Sequence, residues 1–191
     1  MIILLSAKQG GGKTTLAKAL YREINQNPQS RAYMMSFAEP LYLMHDFCWG
    51  YLKDHGIEMP FIKDGYLLQL LGTEWGRTKI RDSLWVDLLK AKIDKTKNGN
   101  NLGYSKLYFI ISDCRFKNEF DAFDNDALKI RLICSKEVRK ARCEMWRETD
   151  THPSEVDLDE YAADGQFDVY CNTEFKTLDE TVEEVRKWAK I

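Results

Sequence analysis

Three consecutive glycines, Gly10 to Gly12, run directly into Lys13, Thr14 and Thr15. Glycine has no Cβ, so a loop built from it lets backbone N–H groups turn inward and close on phosphate oxygens, while a helix that follows adds its N-terminal dipole. Lys13 would supply a mobile positive charge for β- and γ-phosphates, and the Thr14 hydroxyl is placed to ligate Mg²⁺. Such a loop needs a strand before it and a helix after it. Ile2 to Leu5 is a short apolar run suited to a strand buried on both faces, and an amphipathic pattern runs from Thr14 to about Ile24.

The stretch from Ala7 to Thr14 resembles the Walker A pattern, GxxxxGK followed by Ser or Thr, with Ala7 where the pattern opens on glycine. Alanine fits there only at negative φ. On this reading Lys8, Gln9, Gly10, Gly11, Gly12, Lys13, Thr14 and Thr15 form an ATP-binding loop, with Lys13 catalytic and Thr14 the metal ligand. Lys8 to Thr15 also comes close to the KGGxGKTT variant of partition-type ATPases, in which Lys8 would act across a dimer interface on DNA. Gln9 departs from that variant, and no D-x-x-P switch follows a later strand.

A chain of 191 residues suits one domain, and alternating apolar runs and helical patterns argue for an α/β fold. The formal net charge of −2 carries no wholesale electrostatic footprint for nucleic acid. Five scattered cysteines show no metal spacing and fit reduced thiols in a cytoplasm. No span approaches the roughly 20 apolar residues of a membrane helix. Neither nucleic acid nor membrane is an expected partner; the expected partners are small molecules, and the chain is expected as a monomer or homodimer.

A second strand, Ala32 to Ser36, leads into Ser36-Phe37-Ala38-Glu39-Pro40-Leu41. Ligands of parallel sheets collect at the carboxyl ends of strands, which places Ser36 and Phe37 at an acceptor pocket or, equally, in an ordinary turn with Phe37 in the core. Leu41 to Leu52 reads as an aromatic-rich helix. His45 and His55 read as surface or core histidines. Tyr66 to Lys79 reads as one helix with Gln69, Thr73 and Arg77 along one face. Gly72 and Gly76 within it imply a close approach to the backbone. An amide, a hydroxyl and a guanidinium in a row suit a nucleotide's base edge and phosphate, or form a solvated polar stripe. Ile80 to Asp94 continues helically, with Ile80, Leu84, Leu88 and Ala91 as the core stripe and Trp85 beside it, in the core sooner than as a base-stacking ring.

Leu107 to Ser112 is the strongest strand pattern and ends on Asp113-Cys114-Arg115. An aspartate closing such a strand suits a second acid that holds Mg²⁺ through water or orients an acceptor. Arg115 is placed to neutralise a transferring phosphoryl group or to pair with Asp113. Leu128 to Cys134 makes another strand, and Ser135 caps a charged helix reaching about Glu148. With the polar segment Thr149 to Glu155 behind it, this helix forms a candidate lid over roughly residues 136–160, bearing Arg139, Arg142 and Arg147. Phe167 to Cys171 is a last strand, followed by a turn at Asn172-Thr173 that could touch a base edge. Thr177 to Ala189 closes the chain with Leu178, Val182, Val185 and Trp188 inward.

Five motifs occur in order: the GGGKTT loop, the Ser36-to-Leu41 turn, Gln-Leu-Leu-Gly-Thr-Glu-Trp-Gly-Arg at 69 to 77, Ser-Asp-Cys-Arg-Phe-Lys-Asn-Glu at 112 to 119, and His-Pro-Ser-Glu at 152 to 155. Together they resemble the bacteriophage deoxynucleoside monophosphate kinase family. The resemblance implies a three-layer α/β/α P-loop NTPase fold with a parallel sheet of about five strands and a helical lid. It implies ATP and Mg²⁺ as phosphate source, a deoxynucleoside monophosphate (dNMP) as acceptor, and a role in deoxynucleotide biosynthesis in a host cytoplasm. Gly10 to Thr15 would hold ATP. Gln69, Arg77 and Arg115 would hold the acceptor, and Arg139, Arg142 and Arg147 would be the lid charges. The rivals are another small-molecule P-loop kinase, such as a dephospho-coenzyme A kinase, the partition-type ATPase, and an inactive nucleotide-binding module, against which Lys13, Thr14, Asp113 and Arg115 together argue.

Overall fold

The computed structural model describes residues 1–58, 63–100, 103–123, 126–143, 146 and 153–191. Five strands, β1 (Ile2–Ser6), β2 (Ser30–Met35), β3 (Lys106–Ile111), β4 (Ala127–Ile133) and β5 (Val169–Asn172), form one sheet in the order β2-β3-β1-β4-β5. Every pairing is parallel, with Ile3 opposite Ile110, Leu5 opposite Ile130 and Leu132 opposite Cys171. β1 lies at the centre because all five of its residues are buried, as an apolar run flanked on both sides must be. Its neighbours are β3 and β4, so the loops leaving those two strands flank the loop that leaves β1. That is the switch point where open α/β sheets collect ligands.

The chain packs as two compact units, Met1–Met35 with Lys95–Ile191, and Ser36–Asp94. In the first, Leu16, Ala17, Leu20 and Ile24 of α1 (Lys13–Ile24) and Val185 and Ala189 of α9 (Leu178–Ala189) join Ile3, Leu5, Ile110 and Ile130 in one core. Phe120, Phe167 and Tyr161 make a further aromatic cluster, with Phe120 and Phe167 ring centroids 4.8 Å apart. The intervening short helices are α5 (Lys117–Asp121), α6 (Lys136–Arg142), α7 (Pro153–Val156) and α8 (Asp159–Ala163).

The second unit holds α2 (Glu39–Asp54), α3 (Gly65–Gln69), a π-helix over Leu70–Ile80, and the start of α4 (Leu84–Asn98). The stretch expected as one regular helix is thus largely π-helical, and Arg81 N–H donates to Gly76 O five residues back at 3.0 Å. Trp85 Nε1 donates to Gly72 O at 2.8 Å. A Cβ on Gly76 would sit 2.3 Å from Trp85 Cζ2 and one on Gly72 3.2 Å from Leu41 Cδ1. The close approach that the glycines implied is made by this unit's own side chains. His45 is buried; its Nε2 accepts from Asp64 N–H at 3.1 Å and its ring stacks on Trp49.

Other expectations shift by a face or a turn. Residues 81–83 interrupt the helix expected over Ile80 to Asp94. The buried residues of α4 are Trp85, Val86, Leu89 and Ile93, while Ile80 and Leu88 are exposed. Ser135 does cap α6, its hydroxyl accepting from Val138 N–H at 3.4 Å, but the helix ends at Arg142 with Cys143 in extended backbone. Charge alternation from 136 to 148 reads as helix without showing where apolar support stops. In α9, Val185 is buried, whereas Leu178 and Trp188 are exposed.

Candidate active site

Between β1 and α1 the chain makes the turn that the glycines permit. Gly10 and Gly12 hold φ of +75° and +91°, where a side chain is strained. Gly10 is doubly required, since a Cβ there would meet Arg139 O at 2.5 Å. Ala7 avoids positive φ, so it serves where the pattern has glycine. The demand for a small residue falls on Gly11 instead, whose added Cβ would lie 2.7 Å from that of Ala7.

Lys13 is the buried cation of the site. Its Nζ donates to Ala7 O and, at 3.3 Å, to Lys8 O. Burial, and next the Arg115 guanidinium, pull its pKa from 10.5 down to about 7, against the opposing fields of Glu155 and Asp113. Lys13 therefore sits within electrostatic reach of the residues that leave β3. Thr14 and Thr15 are exposed on the first turn of α1.

The loop after β3 is held by a carboxylate of its own. Buried Glu119 accepts from Arg115 N–H at 2.8 Å and Phe116 N–H at 3.2 Å. The Arg115 guanidinium pairs with Glu155 of α7 and donates to Ser154 O at 3.3 Å. Glu155 also accepts from Gln9 N–H at 2.7 Å. Behind the loop, Asp159 pairs with Lys8 at 2.7 Å and with Arg131 at 2.9 Å, while Arg131 donates to Ser6 Oγ at 2.8 Å. Burial lowers the pKa of Arg131 and the Asp159 pair opposes that. Burial first, and then Glu119, raise the pKa of Cys114 well above the ordinary thiol, so Cys114 stays protonated.

A cavity of about 620 Å³ opens over the loop, lined by Gln9 to Leu16, Arg115, Leu132, Arg142, Thr173, Lys176, Thr177, Leu178 and Thr181. Its loop end offers backbone N–H groups, Lys13 and Arg115; its far end offers Leu132, Leu178 and hydroxyls. Arg142 belongs to the far end, donating to Thr173 O at 2.8 Å and Thr173 Oγ1 at 3.3 Å. Such a site can take a polyphosphate at one end and a flat, partly apolar group at the other.

The structure brings Gln9 to Thr15, Arg115 and Arg142 to this cavity, with Asp113 near Lys13. It does not bring Lys8 or Arg139 there. Arg139 is buried; it supports the loop by donating to Gln9 O at 3.2 Å and stacks on Trp146, so it is no exposed lid charge. Arg147 and residues 147–152 lie outside the described residues. Ser36, Phe37, Gln69 and Arg77 belong to the second unit. There, Ser36 Oγ accepts from Ala38 N–H at 3.1 Å, Phe37 is only 3 % exposed and offers little surface to a ligand, Gln69 is exposed, and Arg77 donates to Asp82 O at 3.4 Å.

Sequence reasoning missed Glu155, Asp159, Lys176, Thr177, Leu178 and Thr181. A signal existed for the last group, because Thr177 and Glu180 form a capping box that starts α9 directly after β5. No helix among the described residues is long and apolar enough to cross a membrane, and no cluster of metal-ligating side chains occurs among them.

No protein-family model matches the sequence, and no curated protein matches it either. Solved structures do match. A shikimate kinase from Bacteroides thetaiotaomicron aligns with all of this chain and 99 % of its own at 15 % identity and a TM-score of 0.52. The protein APE1195 aligns with all of this chain and 94 % of its own at 14 % identity and a TM-score of 0.50. This is the fold of P-loop kinases. A deoxyadenosine kinase from M. mycoides aligns with all of both chains at 14 % identity and a TM-score of 0.45. At these identities the likeness speaks for fold and not for substrate.

Proposed function

We infer that the protein transfers the γ-phosphoryl group of ATP to a deoxynucleoside monophosphate, giving the diphosphate and ADP. One observation supports the reading: Lys13, buried in the glycine loop, and Arg115, partly exposed on the loop after β3, line the same nucleotide-sized cavity within electrostatic reach of each other. The triphosphate would lie on the N–H groups of Gly10 to Thr15, with its base toward Leu132, Arg142, Thr173 and Leu178. The choice of a dNMP as acceptor comes from the order of sequence motifs, with Arg115 as its candidate contact on the loop after β3.

The donor set fits Mg²⁺, a hard cation that takes oxygen ligands and keeps several waters. Thr14 would be its ligand and Asp113 its water-mediated partner, and when bound it would neutralise phosphate charge. A monophosphate acceptor already presents an ionised oxygen, so no general base is required. The chain's own work is positioning, charge neutralisation by Lys13 and Arg115, and exclusion of water. Lys8 pairs with Asp159 of its own chain, which favours this reading over a partition-type ATPase that would use Lys8 across a dimer.

The test is ADP release from ATP and Mg²⁺ with each of the four deoxynucleoside monophosphates, their ribose counterparts and alcohol acceptors, including shikimate and dephospho-coenzyme A. Release with at least one dNMP is expected. Brisk release with an alcohol alone would replace the assignment by that of an alcohol kinase of the same fold.

A further inference from the structure

We propose that Glu155 is a positioning residue for phosphoryl transfer, one that fixes the Arg115 guanidinium to the phosphate loop; this deepens the kinase reading and rests on it. Glu155 ends the His-Pro-Ser-Glu motif, which the catalytic assignment leaves unused. Its side chain is 5 % exposed and its carboxylate bridges two distant pieces of chain: Gln9 N–H at 2.7 Å from 146 residues away, and Arg115 from 40 residues away.

A buried carboxylate persists only where charge and hydrogen bonds surround it. Here it has the guanidinium, a loop N–H and the field of Lys13. Among the described residues Arg115 Nη1 makes both of the guanidinium's contacts, to Glu155 and Ser154 O, which leaves Nε and Nη2 for a ligand in the cavity that Arg115 lines. An arginine on a free loop would lose rotamer entropy each time it met a transferring phosphoryl group. One already tied to the loop does not, and that is the meaning of preorganisation.

The rest of the segment holds Glu155 in register. Asp157 accepts from Lys117 N–H at 2.7 Å, and Asp159 joins Lys8 to Arg131. The segment 153–163 is thus clipped to the exit of β3 and to the rear of the loop, so the position of Glu155 is not set by α7 alone.

The experiment compares the full-length wild type with Glu155→Gln, Arg115→Ala, the double variant, and the exposed-site control Glu160→Gln. Turnover is read with ATP and the preferred dNMP, and also as acceptor-independent ATP hydrolysis, which tests the inference even if the acceptor is wrong. Glu155→Gln should lower kcat roughly a hundredfold while KM for ATP moves less than about threefold. In the Arg115→Ala background it should add almost nothing, because the two act as one unit. Glu160→Gln should match the wild type. Side-chain NMR should show an ordered Arg115 signal that Glu155→Gln removes while the Arg131 signal stays. Independent losses in the double variant, an unchanged Arg115 signal, or tenfold tighter ATP binding by Glu155→Gln would each overturn the proposal; the last would make Glu155 a competitor of phosphate. Absence of dNMP turnover in the wild type, with hydrolysis still sensitive to Glu155, would instead count against the acceptor assignment alone.

Discussion

Two pairs of glycines look alike in sequence and serve opposite ends. Gly10 and Gly12 take positive φ and free the backbone to face a ligand, whereas Gly72 and Gly76 lie in the π-helix without positive φ and give up their side-chain space to Leu41 and Trp85. The first pair creates an unfilled surface, and the second fills one. A glycine in a helix is a request for proximity, and nothing in the sequence says whether a ligand or a neighbouring ring will answer it.

Lys13 marks the difference most sharply, because it is the loop residue whose removal should cost function without costing the fold. Lys13→Met should lower turnover by about a thousandfold or more, the range seen when a charge on a transferring phosphoryl group is lost. Its melting temperature should not fall, since burial penalises the lysine's charge and the thioether does not share that penalty; a gain of roughly 1–2 kcal/mol is expected. Thermal melts beside ADP release measure both. A folded Lys13→Met protein with near-normal turnover would remove the loop from the chemistry.

Exchanging alanine into the two regions tests the comparison directly. Gly76→Ala must push an indole carbon from 2.3 Å, so it should destabilise by about 2–4 kcal/mol while the folded fraction binds an ATP analogue normally. Gly10→Ala strains one residue at φ +75° and crowds Arg139 O. It should cost about 1–2 kcal/mol of stability but at least tenfold in ATP affinity, because the loop can relieve the clash only by moving its N–H groups. Chemical denaturation and calorimetry separate the two quantities. Equal losses of ATP affinity in both variants would erase the distinction.

What was legible follows the same division. The strand, loop and first helix could be read because an apolar run, a glycine triplet and a 3.6-residue period occur within one short stretch, and the Ser135 cap is similarly local. The helix expected at 66 to 79 is π-helical from Leu70, and the bond from Trp85 Nε1 to Gly72 O, thirteen residues back, is a contact that no local period shows. Arg139 looked like a lid charge because a polar segment follows its arginine-bearing helix and the resemblance implies a lid, yet it donates to Gln9 O. Glu155 and Asp159 were invisible as partners of Arg115, Lys8 and Arg131, since ion pairs across such separations leave no spacing to detect. Leu178 was counted as core because its period fits α9, whereas the cavity takes that face.

The last difference is a pH dependence confined to the loop. Lys13 binds its proton with a pKa of about 7 in the free protein, below its ordinary 10.5. A bound triphosphate brings negative charge to the same place and raises that value, so binding above neutrality must take up a proton. ATP affinity should therefore fall as pH rises from about 7 to 9, approaching tenfold per unit, which is about 1.4 kcal/mol. Calorimetry at about pH 8 in two buffers of different ionisation enthalpy should show uptake approaching one proton. The linkage to folding has its own sign: between about 7 and 10.5 the unfolded chain holds the Lys13 proton more tightly than the folded one, so this group's contribution to stability rises with pH across that window. Gly76→Ala should keep the slope of affinity against pH, because a neutral indole fills its space. Lys13→Met should abolish it, and a slope that survives in Lys13→Met would mean that the titrating group lies elsewhere.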